Sequence, residues 1–396
     1  MATDLRPGET GEMGDEEFRA SLRAFLKEHA PGRPPGGAAE RLAFAKAWAA
    51  TKFDHGFAGP SWPREYGGMD LPFRQQVIYH EEMAKVRAPG HPGTGWDMVG
   101  PTIIKYGTPE QKEKYLRKTL RGDIVWAQGF SEPEAGSDLP SLRTTARREG
   151  DHYVVTGQKV WNTNAEKADM FFVLVRTGTP ESRQKGISYL LVDAHAPGVT
   201  VRPIRDMTGA EHFCEIFFDG VRVPVADRVG EENEGWRIAR TTLGHERSAG
   251  ALTQAAFYRR IVDELIALAR ERGAVADPGV RRRLADFDVR VRVMNVHAAR
   301  TIASILATGE PGPTSSVSRL YNSLFEQELH EFAVDLLGPF GLLGRGDPDA
   351  VQRGRWTTGW LATRASTIGA GTAEIHRNTI AEQVLGLPRD PAMPPR

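Results

Sequence analysis

The spacing of apolar residues changes character twice along the chain, and this limits the fold more than any other feature. In the first third, four apolar residues recur at helical spacing behind an acidic start: Phe18, Leu22, Phe25 and Leu26. Helical patterns continue to about residue 120, β-rich runs follow up to about residue 230, and the remaining chain is helical in pattern again. The sequence therefore predicts an α, then β, then α architecture.

The β-rich segment contains four short runs that Gly, Pro and Asp separate: residues 153–156, 170–175, 187–192 and 215–218. No helix-length segment lies between these runs, which favours an antiparallel sandwich or barrel over a parallel sheet. In the last segment, residues 287–293 alternate like a strand, but the longer apolar series from Leu284 to Ile305 fits a helix.

These patterns predict an α+β protein with three domains. We expect an all-α N-terminal domain at residues 1–122, a middle antiparallel β-barrel or sandwich domain at 123–232 and a C-terminal helical bundle at 233–396. The last segment is long enough for a four-helix bundle.

Composition excludes several classes of function. Lys+Arg and Asp+Glu both number 51, so no overall positive charge favours nucleic acid or an anionic membrane. A single cysteine, Cys214, excludes an internal disulfide framework and a multi-cysteine metal site, and no metal site is predicted. No apolar run approaches the ~18 residues of a membrane span, and the N-terminus lacks the pattern of a secretory signal. We expect a cytoplasmic protein.

Five sequence pieces carry a resemblance to one enzyme family. They are YGTPEQK at 106–112, GFSEPEAGSD at 129–138, TGQKVWNTN at 156–164, Gly235-Trp236, and GTAEIHR at 371–377. Their order and content resemble the acyl-CoA dehydrogenases. The resemblance implies an FAD-dependent enzyme that desaturates an acyl-CoA thioester between its α and β carbons. It also implies that electrons pass to electron-transfer flavoprotein or a similar acceptor.

The resemblance assigns the flavin contacts. It places Phe130 and Ser131 at the edge of the flavin ring. It places Gly136 and Ser137 beside the pyrophosphate or the thioester. It places Trp161 and Thr163 at the dimethylbenzene side and N5, and Thr372 near the flavin phosphates. Taken without the family, residues 132–137 are better interpreted as a tight turn and Trp161 as a core anchor.

The catalytic carboxylate differs from that of most of the family, which carries it late in the chain in a Tyr-Glu-Gly-Thr sequence. The matching residues here are 369–372, Gly-Ala-Gly-Thr, so that glutamate is absent. In a branch that includes isovaleryl-CoA dehydrogenase, a Leu-Glu-Arg sequence early in the bundle supplies it, and this chain has His245-Glu246-Arg247 there. The resemblance makes Glu246 the base that takes the α-proton while a β-hydride goes to flavin N5.

Two further residues complete the predicted catalytic set. The backbone N–H of Ala370, with the ribityl hydroxyl of FAD, is expected to stabilise the thioester oxygen. Arg247 could tune the base or orient the substrate, or it could be a structural ion-pair partner, and Glu246 itself could be an ordinary helix-surface charge. Because Gly369 and Ala370 replace a Tyr and a Glu of relatives, we expect a bulky or branched acyl group.

One departure from the family concerns assembly. Homomeric members place an Arg-x-x-Phe-Gly piece over the FAD pyrophosphate of a neighbouring subunit, and residues 270–278 here retain only Arg272 of it. Similar losses occur in heteromeric acyl-CoA dehydrogenases that act on steroid-type side chains. We therefore expect a homo-oligomer or a heterotetramer with a related subunit. A flavin monooxygenase on the same fold and a flavin-poor partner subunit are the alternative functions.

Overall fold

The structure is a computed structural model that describes residues 13–32, 34–308 and 312–389. Contacts between residues divide the chain into two compact units. The first unit comprises Met1–Asp206 and Ala210–Ala249, and the second comprises Met207–Gly209 and Gly250–Arg396. The side chains of residues 245–256 lie outside the described part of the chain.

The first unit begins with helices. They are α1 (Asp15–His29), α2 (Ala38–Asp54), α3 (Phe73–Lys85), α4 (Gly100–Tyr106) and α5 (Pro109–Arg121). The four apolar residues that predicted α1 are all buried. Helix α5 begins with a capping box in which the Thr108 hydroxyl accepts from the N–H of Gln111, and the Gln111 side chain accepts from the N–H of Thr108.

A twisted sheet follows in the same unit. Its strands are β1 (Trp126–Gly129), β2 (Thr145–Glu149), β3 (His152–Thr163), β4 (Met170–Arg176), β5 (Ile187–Asp193), β6 (Val199–Ile204), β7 (Phe213–Pro224) and β8 (Arg228–Val229). The order along the main path is β6-β7-β3-β2-β4-β5-β8, and β1 pairs with β4. The four predicted runs lie in β3, β4, β5 and β7.

The predicted fold class, α+β, is confirmed. The prediction that the middle domain is antiparallel throughout needs correction, because the sheet is mixed. Most neighbours are antiparallel, but β1 runs parallel to β4, and β2 meets β4 at one parallel pair. Parallel neighbours need a long connection, and the chain between β1 and β4 supplies one because it includes the β2–β3 hairpin. Periodicity cannot reveal such a pairing.

The second unit is helical, as predicted. Helix α6 (Gly235–Glu271) starts before the unit boundary, and α7 (Pro278–Thr308), α8 (Thr314–Leu337) and the short α9 (Arg355–Ala362) and α10 (Ala373–Thr379) follow. Residues 287–293 lie inside α7, which confirms a helix there instead of a strand. Among the described residues, no helix combines the length and the apolar character needed to cross a bilayer.

The core of the second unit is aromatic at its centre, and this generates a stability prediction. Phe287 of α7 is fully buried against Phe325 and Phe332 of α8. Phe287→Ala should lower the free energy of unfolding by about 3–5 kcal/mol, because it leaves a cavity in a close-packed core. Val296→Ala on the same helix is the control, since Val296 is 60% exposed and its loss should cost about 0.5 kcal/mol or less. If Phe287→Ala and Val296→Ala lower the free energy of unfolding equally in denaturant, Phe287 does not lie in the core as described.

Candidate active site

Two sequence segments that carry the predicted flavin residues lie side by side in the first unit. Residues 129–138 leave the end of β1, and residues 156–164 belong mostly to β3. The N–H of Val160 donates to the carbonyl of Ser131 at 2.9 Å, and the Asn162 side-chain amide donates to the carbonyl of Gln128 at 2.6 Å. The fold therefore joins segments that are about two dozen residues apart in sequence into one surface.

A buried ion pair fastens these two segments. Lys159 Nζ lies 2.7 Å from a carboxylate oxygen of Glu132, and their side chains are 0% and 7% exposed. Lys159 also donates to the carbonyl of Phe130 at 3.2 Å. The Glu132 carboxylate accepts from the backbone N–H groups of Arg143 at 2.6 Å and Thr144 at 2.9 Å. Each charge is thus compensated by several partners, as a buried pair requires.

Both members of this pair keep their charge at neutral pH. Burial raises the pKa of Glu132, but the Lys159 charge and three hydrogen bonds outweigh it and hold the pKa below its usual value. Burial lowers the pKa of Lys159 to about 8, while Glu132 acts in the opposite direction. Sequence reasoning gave neither residue a role, although both lie within the two signature segments.

The turn after β1 presents backbone and small side chains to solvent. The ring of Phe130 is buried and stands edge-on to Phe172 and Tyr189, with centroid distances of 5.6 and 6.0 Å. Ser131 is partly exposed, whereas Gly136 and Ser137 are exposed. A Cβ added at Gly136 would meet no atom within 4 Å, so the space beside this glycine is open.

Trp161 is the main aromatic surface beside this turn. Its backbone has φ +62°, next to a register shift between β3 and β7, and its side chain is 58% exposed. Such a bulge re-aims a side chain away from the alternation of the strand. The interpretation of Trp161 as a core anchor is therefore wrong. Thr163, two residues on, is also exposed, so an indole ring and a hydroxyl face outward together.

The second unit holds the turn that contains Ala370. Ala370 and Gly371 have φ of +54° and +92°, and the His376 Nε2 donates to the carbonyl of Ala370 at 3.2 Å. A guanidinium nitrogen of Arg319, on α8, donates to the carbonyls of Ser366 and Gly369, each at 3.0 Å. The backbone N–H of Ala370 donates to no acceptor in the described part of the chain. The turn is held through its carbonyls, and one exposed N–H remains available.

Arg319 and His376 hold this turn through hydrogen bonds, and the sequence analysis assigned no role to either residue. His376 belongs to the GTAEIHR piece, so a signal for it existed. Arg319 is about fifty residues from the turn in sequence, and nothing near it indicates this contact.

The other predicted residues of the second unit have contacts of their own. The Thr372 hydroxyl accepts from the N–H of Ile375 at 3.2 Å and caps α10. The Arg272 guanidinium lies over the Phe340 ring, 5.2 Å from its centre. Glu246 and Arg247 lie in α6, but their side chains are outside the described residues.

Domain families match nearly the whole chain in the order that the sequence pieces predicted. The acyl-CoA dehydrogenase N-terminal domain matches residues 14–123, the middle domain matches 127–221 and the C-terminal domain matches 233–385. The chain belongs to the acyl-CoA dehydrogenase family. The predicted resemblance and the enzyme class, an oxidoreductase, are thereby confirmed, and acyl-CoA dehydrogenases generally use FAD.

Three relatives are similar to this chain over almost their full length. The acyl-CoA dehydrogenase IpdE1 of Mycobacterium tuberculosis is 39% identical over 384 residues, which cover 95% of this chain and 98% of that protein. The solved structure of the Tcur3481-Tcur3483 steroid ACAD has a TM-score of 0.82 at 32% identity and covers 95% of this chain and 98% of that chain. The ChsE4-ChsE5 complex from Mycobacterium tuberculosis has a TM-score of 0.80 at 32% identity, with the same coverage.

The buried ion pair of this acyl-CoA dehydrogenase yields a second prediction. Lys159→Met should lower the free energy of unfolding by about 3–5 kcal/mol, because it leaves the Glu132 charge buried without its cation. Adding Glu132→Gln should restore part of the loss. The control is Arg147→Met, whose ion pair with Glu149 is largely exposed and should contribute about 1 kcal/mol or less. If the Lys159→Met and Arg147→Met proteins unfold at the same denaturant concentration, the buried pair does not have the predicted effect on stability.

Proposed function

We propose that this chain binds FAD and desaturates the thioester of a bulky or branched acyl-CoA, with Glu246 as the base for the α-proton. The observation that supports this best is the junction of residues 129–138 with β3, at which the Trp161 side chain is exposed together with Gly136, Ser137 and Thr163. An exposed indole offers a flat aromatic face with which a planar ring can stack.

The donor set of the first unit fits FAD. The flat Trp161 ring offers an aromatic wall, and the Ser131 and Thr163 hydroxyls offer hydrogen bonds to the heteroatoms of a flavin ring. Gly136 and Ser137 would lie by the pyrophosphate or the thioester. In the second unit, Thr372 would contact the flavin near its phosphates. When bound, FAD supplies the oxidant that accepts the β-hydride at N5, and electron-transfer flavoprotein or a similar carrier would reoxidise it.

Ala370 would stabilise the charge that grows on the thioester oxygen as the α-proton leaves. Its N–H is uncommitted, and the turn that presents it is held by the contacts of Arg319 and His376 to neighbouring carbonyls. A fixed donor needs no reorganisation during the reaction, which is the basis of oxyanion stabilisation. Because the donor belongs to the backbone, replacement of the family's glutamate by Ala370 does not remove it.

Glu246 would supply the carboxylate that the altered turn lacks. The reaction needs a base within hydrogen-bond reach of the α-proton, and the His245-Glu246-Arg247 sequence matches the branch that carries its base on this helix. Arg247 would tune this carboxylate or orient the thioester. The bulky acyl group is supported by the small residues Gly369 and Ala370, and by a 32% identical relative that is described as a steroid ACAD.

We also propose assembly with a related subunit. Two similar structures carry paired names, Tcur3481-Tcur3483 and ChsE4-ChsE5, and the second is described as a complex. In this chain, the Arg272 guanidinium lies over its own Phe340 ring, beside the Gly338-Pro339 break that follows α8. A guanidinium held in this way is less available to the FAD of a neighbouring subunit.

The base assignment has a direct test. Glu246→Gln should keep the fold and the flavin but lose acyl-CoA desaturation by ~10²–10⁴-fold, because an amide cannot accept the proton. Activity is measured with acyl-CoA thioesters and an artificial electron acceptor. Glu271→Gln is the control, since it changes an exposed glutamate at the end of the same helix. A Glu246→Gln enzyme that retains more than about a tenth of its activity would refute the assignment.

The assembly proposal predicts low flavin occupancy for the chain expressed alone. We expect well below one FAD per chain, rising when a related dehydrogenase chain is co-expressed, because contacts to the adenosine end would come from the other subunit. The flavin-to-protein absorbance ratio and light scattering after size exclusion measure both quantities. A stable homotetramer with one tightly held FAD per chain would contradict the proposal.

A further inference from the structure

A row of three side chains lies beside the exposed Trp161 ring and connects it to the loop between β6 and β7. We call this row the Trp161 support, and it consists of Phe213, His212 and Asp206. The Phe213 ring stands edge-on to the Trp161 ring, with a centroid distance of 6.0 Å. The centre of the His212 ring lies 4.1 Å from that of the Phe213 ring, and His212 Nδ1 lies 3.3 Å from a carboxylate oxygen of Asp206. All four residues belong to the first unit.

The Trp161 ring depends on this support because its own strand holds it weakly. The indole is exposed, and its backbone lies at the register shift between β3 and β7. In the described part of the chain, the Phe213 ring is the only aromatic ring that packs against it. Edge-on aromatic pairs favour one relative orientation of the two rings. The orientation of the indole therefore depends on where the Phe213 ring is held.

The sheet fixes the backbone of Phe213 between two strands. Phe213 begins β7, and it pairs with Thr163 of β3 on one side and with the end of β6 on the other. Trp161 lies two residues before Thr163, and diagonal neighbours on adjacent antiparallel strands are within reach of aromatic side chains. The carbonyl of His212 accepts from the N–H of Asn164 at 2.6 Å. The backbone thus brings the two rings together, and side-chain contacts set how they are turned.

The contact between His212 and Asp206 holds the ring that packs on Phe213. The imidazole Nδ1 can donate to a carboxylate in the neutral and in the protonated state, and a carboxylate beside it selects the tautomer that carries a proton there. Asp206 is itself fixed, since its N–H donates to the carbonyl of Ala210 at 2.9 Å within the β6–β7 loop. His212 is partly exposed, so the carboxylate limits a rotation that solvent would otherwise allow.

A second pair of the same type in the first unit provides a comparison. His152, at the start of β3, faces the carboxylate of its neighbour Asp151. Among the described residues, the His152 ring packs on no aromatic ring, whereas the His212 ring packs on Phe213. The two pairs therefore differ in the aromatic contact that leads to Trp161.

We infer that His212 and Asp206 are positioning residues for the Trp161 ring, which they hold through Phe213 in the orientation that receives a flavin ring. This inference rests on the proposed function, in which Trp161 forms the aromatic wall of the flavin site. A wall that is oriented before FAD binds loses less conformational freedom on binding, and this increases affinity. His212 and Asp206 would act through the indole and would contact neither FAD nor the reacting atoms.

The test is a double-mutant cycle on FAD affinity, measured by the change in flavin fluorescence as FAD is titrated with the flavin-free, full-length protein. Trp161→Ala should weaken FAD binding. His212→Ala alone should weaken it by about 2- to 10-fold, the range that one aromatic contact contributes. In the Trp161→Ala background, His212→Ala should have no further effect, because the ring that it positions is absent.

A second measurement reports on the ring without FAD. In protein labelled with 5-fluorotryptophan, the fluorine signal of Trp161 is identified by its loss in Trp161→Phe. His212→Ala should shift or broaden this signal and leave the signals of the other tryptophans in place. His212→Gln should resemble wild type more closely in both measurements, because its amide can still donate to Asp206. His152→Ala is the matched control and should change neither the Trp161 signal nor the FAD affinity.

The results separate this inference from the proposed function. If Trp161→Ala weakens FAD binding but His212→Ala does not, or if His212→Ala acts equally in the Trp161→Ala background, only this inference fails. If the wild-type protein binds no FAD, or if Trp161→Ala binds FAD as tightly as wild type, the proposed flavin surface fails and the inference with it. A loss of affinity that depends on Trp161, together with an altered Trp161 signal, supports both.

Discussion

The ion pair between Lys159 and Glu132 is the interaction on which the candidate flavin surface depends. It lies beneath the junction of β3 with the turn after β1, and it is enclosed almost completely. Either charge would be strongly unfavourable if it were buried without the other, so the packed junction requires both residues. The backbone bonds between Val160 and Ser131 and from Asn162 to Gln128 then fix their register. This arrangement sets the positions of Trp161 and Ser131.

The turn around Ala370 in the second unit fixes the position of a backbone N–H group. A backbone donor is useful to catalysis only if its position is fixed, and Arg319 and His376 bind the neighbouring carbonyls while the Ala370 N–H stays open. The left-handed conformations of Ala370 and Gly371 point successive peptide groups in directions that a helix or strand would not allow. The loss of a glutamate side chain at this turn leaves its backbone chemistry intact.

Sequence reasoning predicted the elements with long, regular patterns. The apolar stripe of α1 and the apolar series of α7 identified their helices, and the continuous apolar runs identified β3, β4, β5 and β7. The short strands β1, β2, β6 and β8 were not predicted, because strands with few residues or many polar positions show no regular spacing of apolar residues. Motif resemblance gave the family, which the domain matches confirm, and it named candidate site residues that remain predictions.

What the sequence determined by itself was therefore the order of helical and β segments, the family and the chemistry of the candidate residues. Only the tertiary structure decided that β1 is parallel to β4, that Trp161 faces outward and that Arg319 reaches the Ala370 turn. The reason is physical. Periodicity and motifs report local preferences, whereas partners, burial and exposure depend on residues that are distant in sequence and meet only after folding.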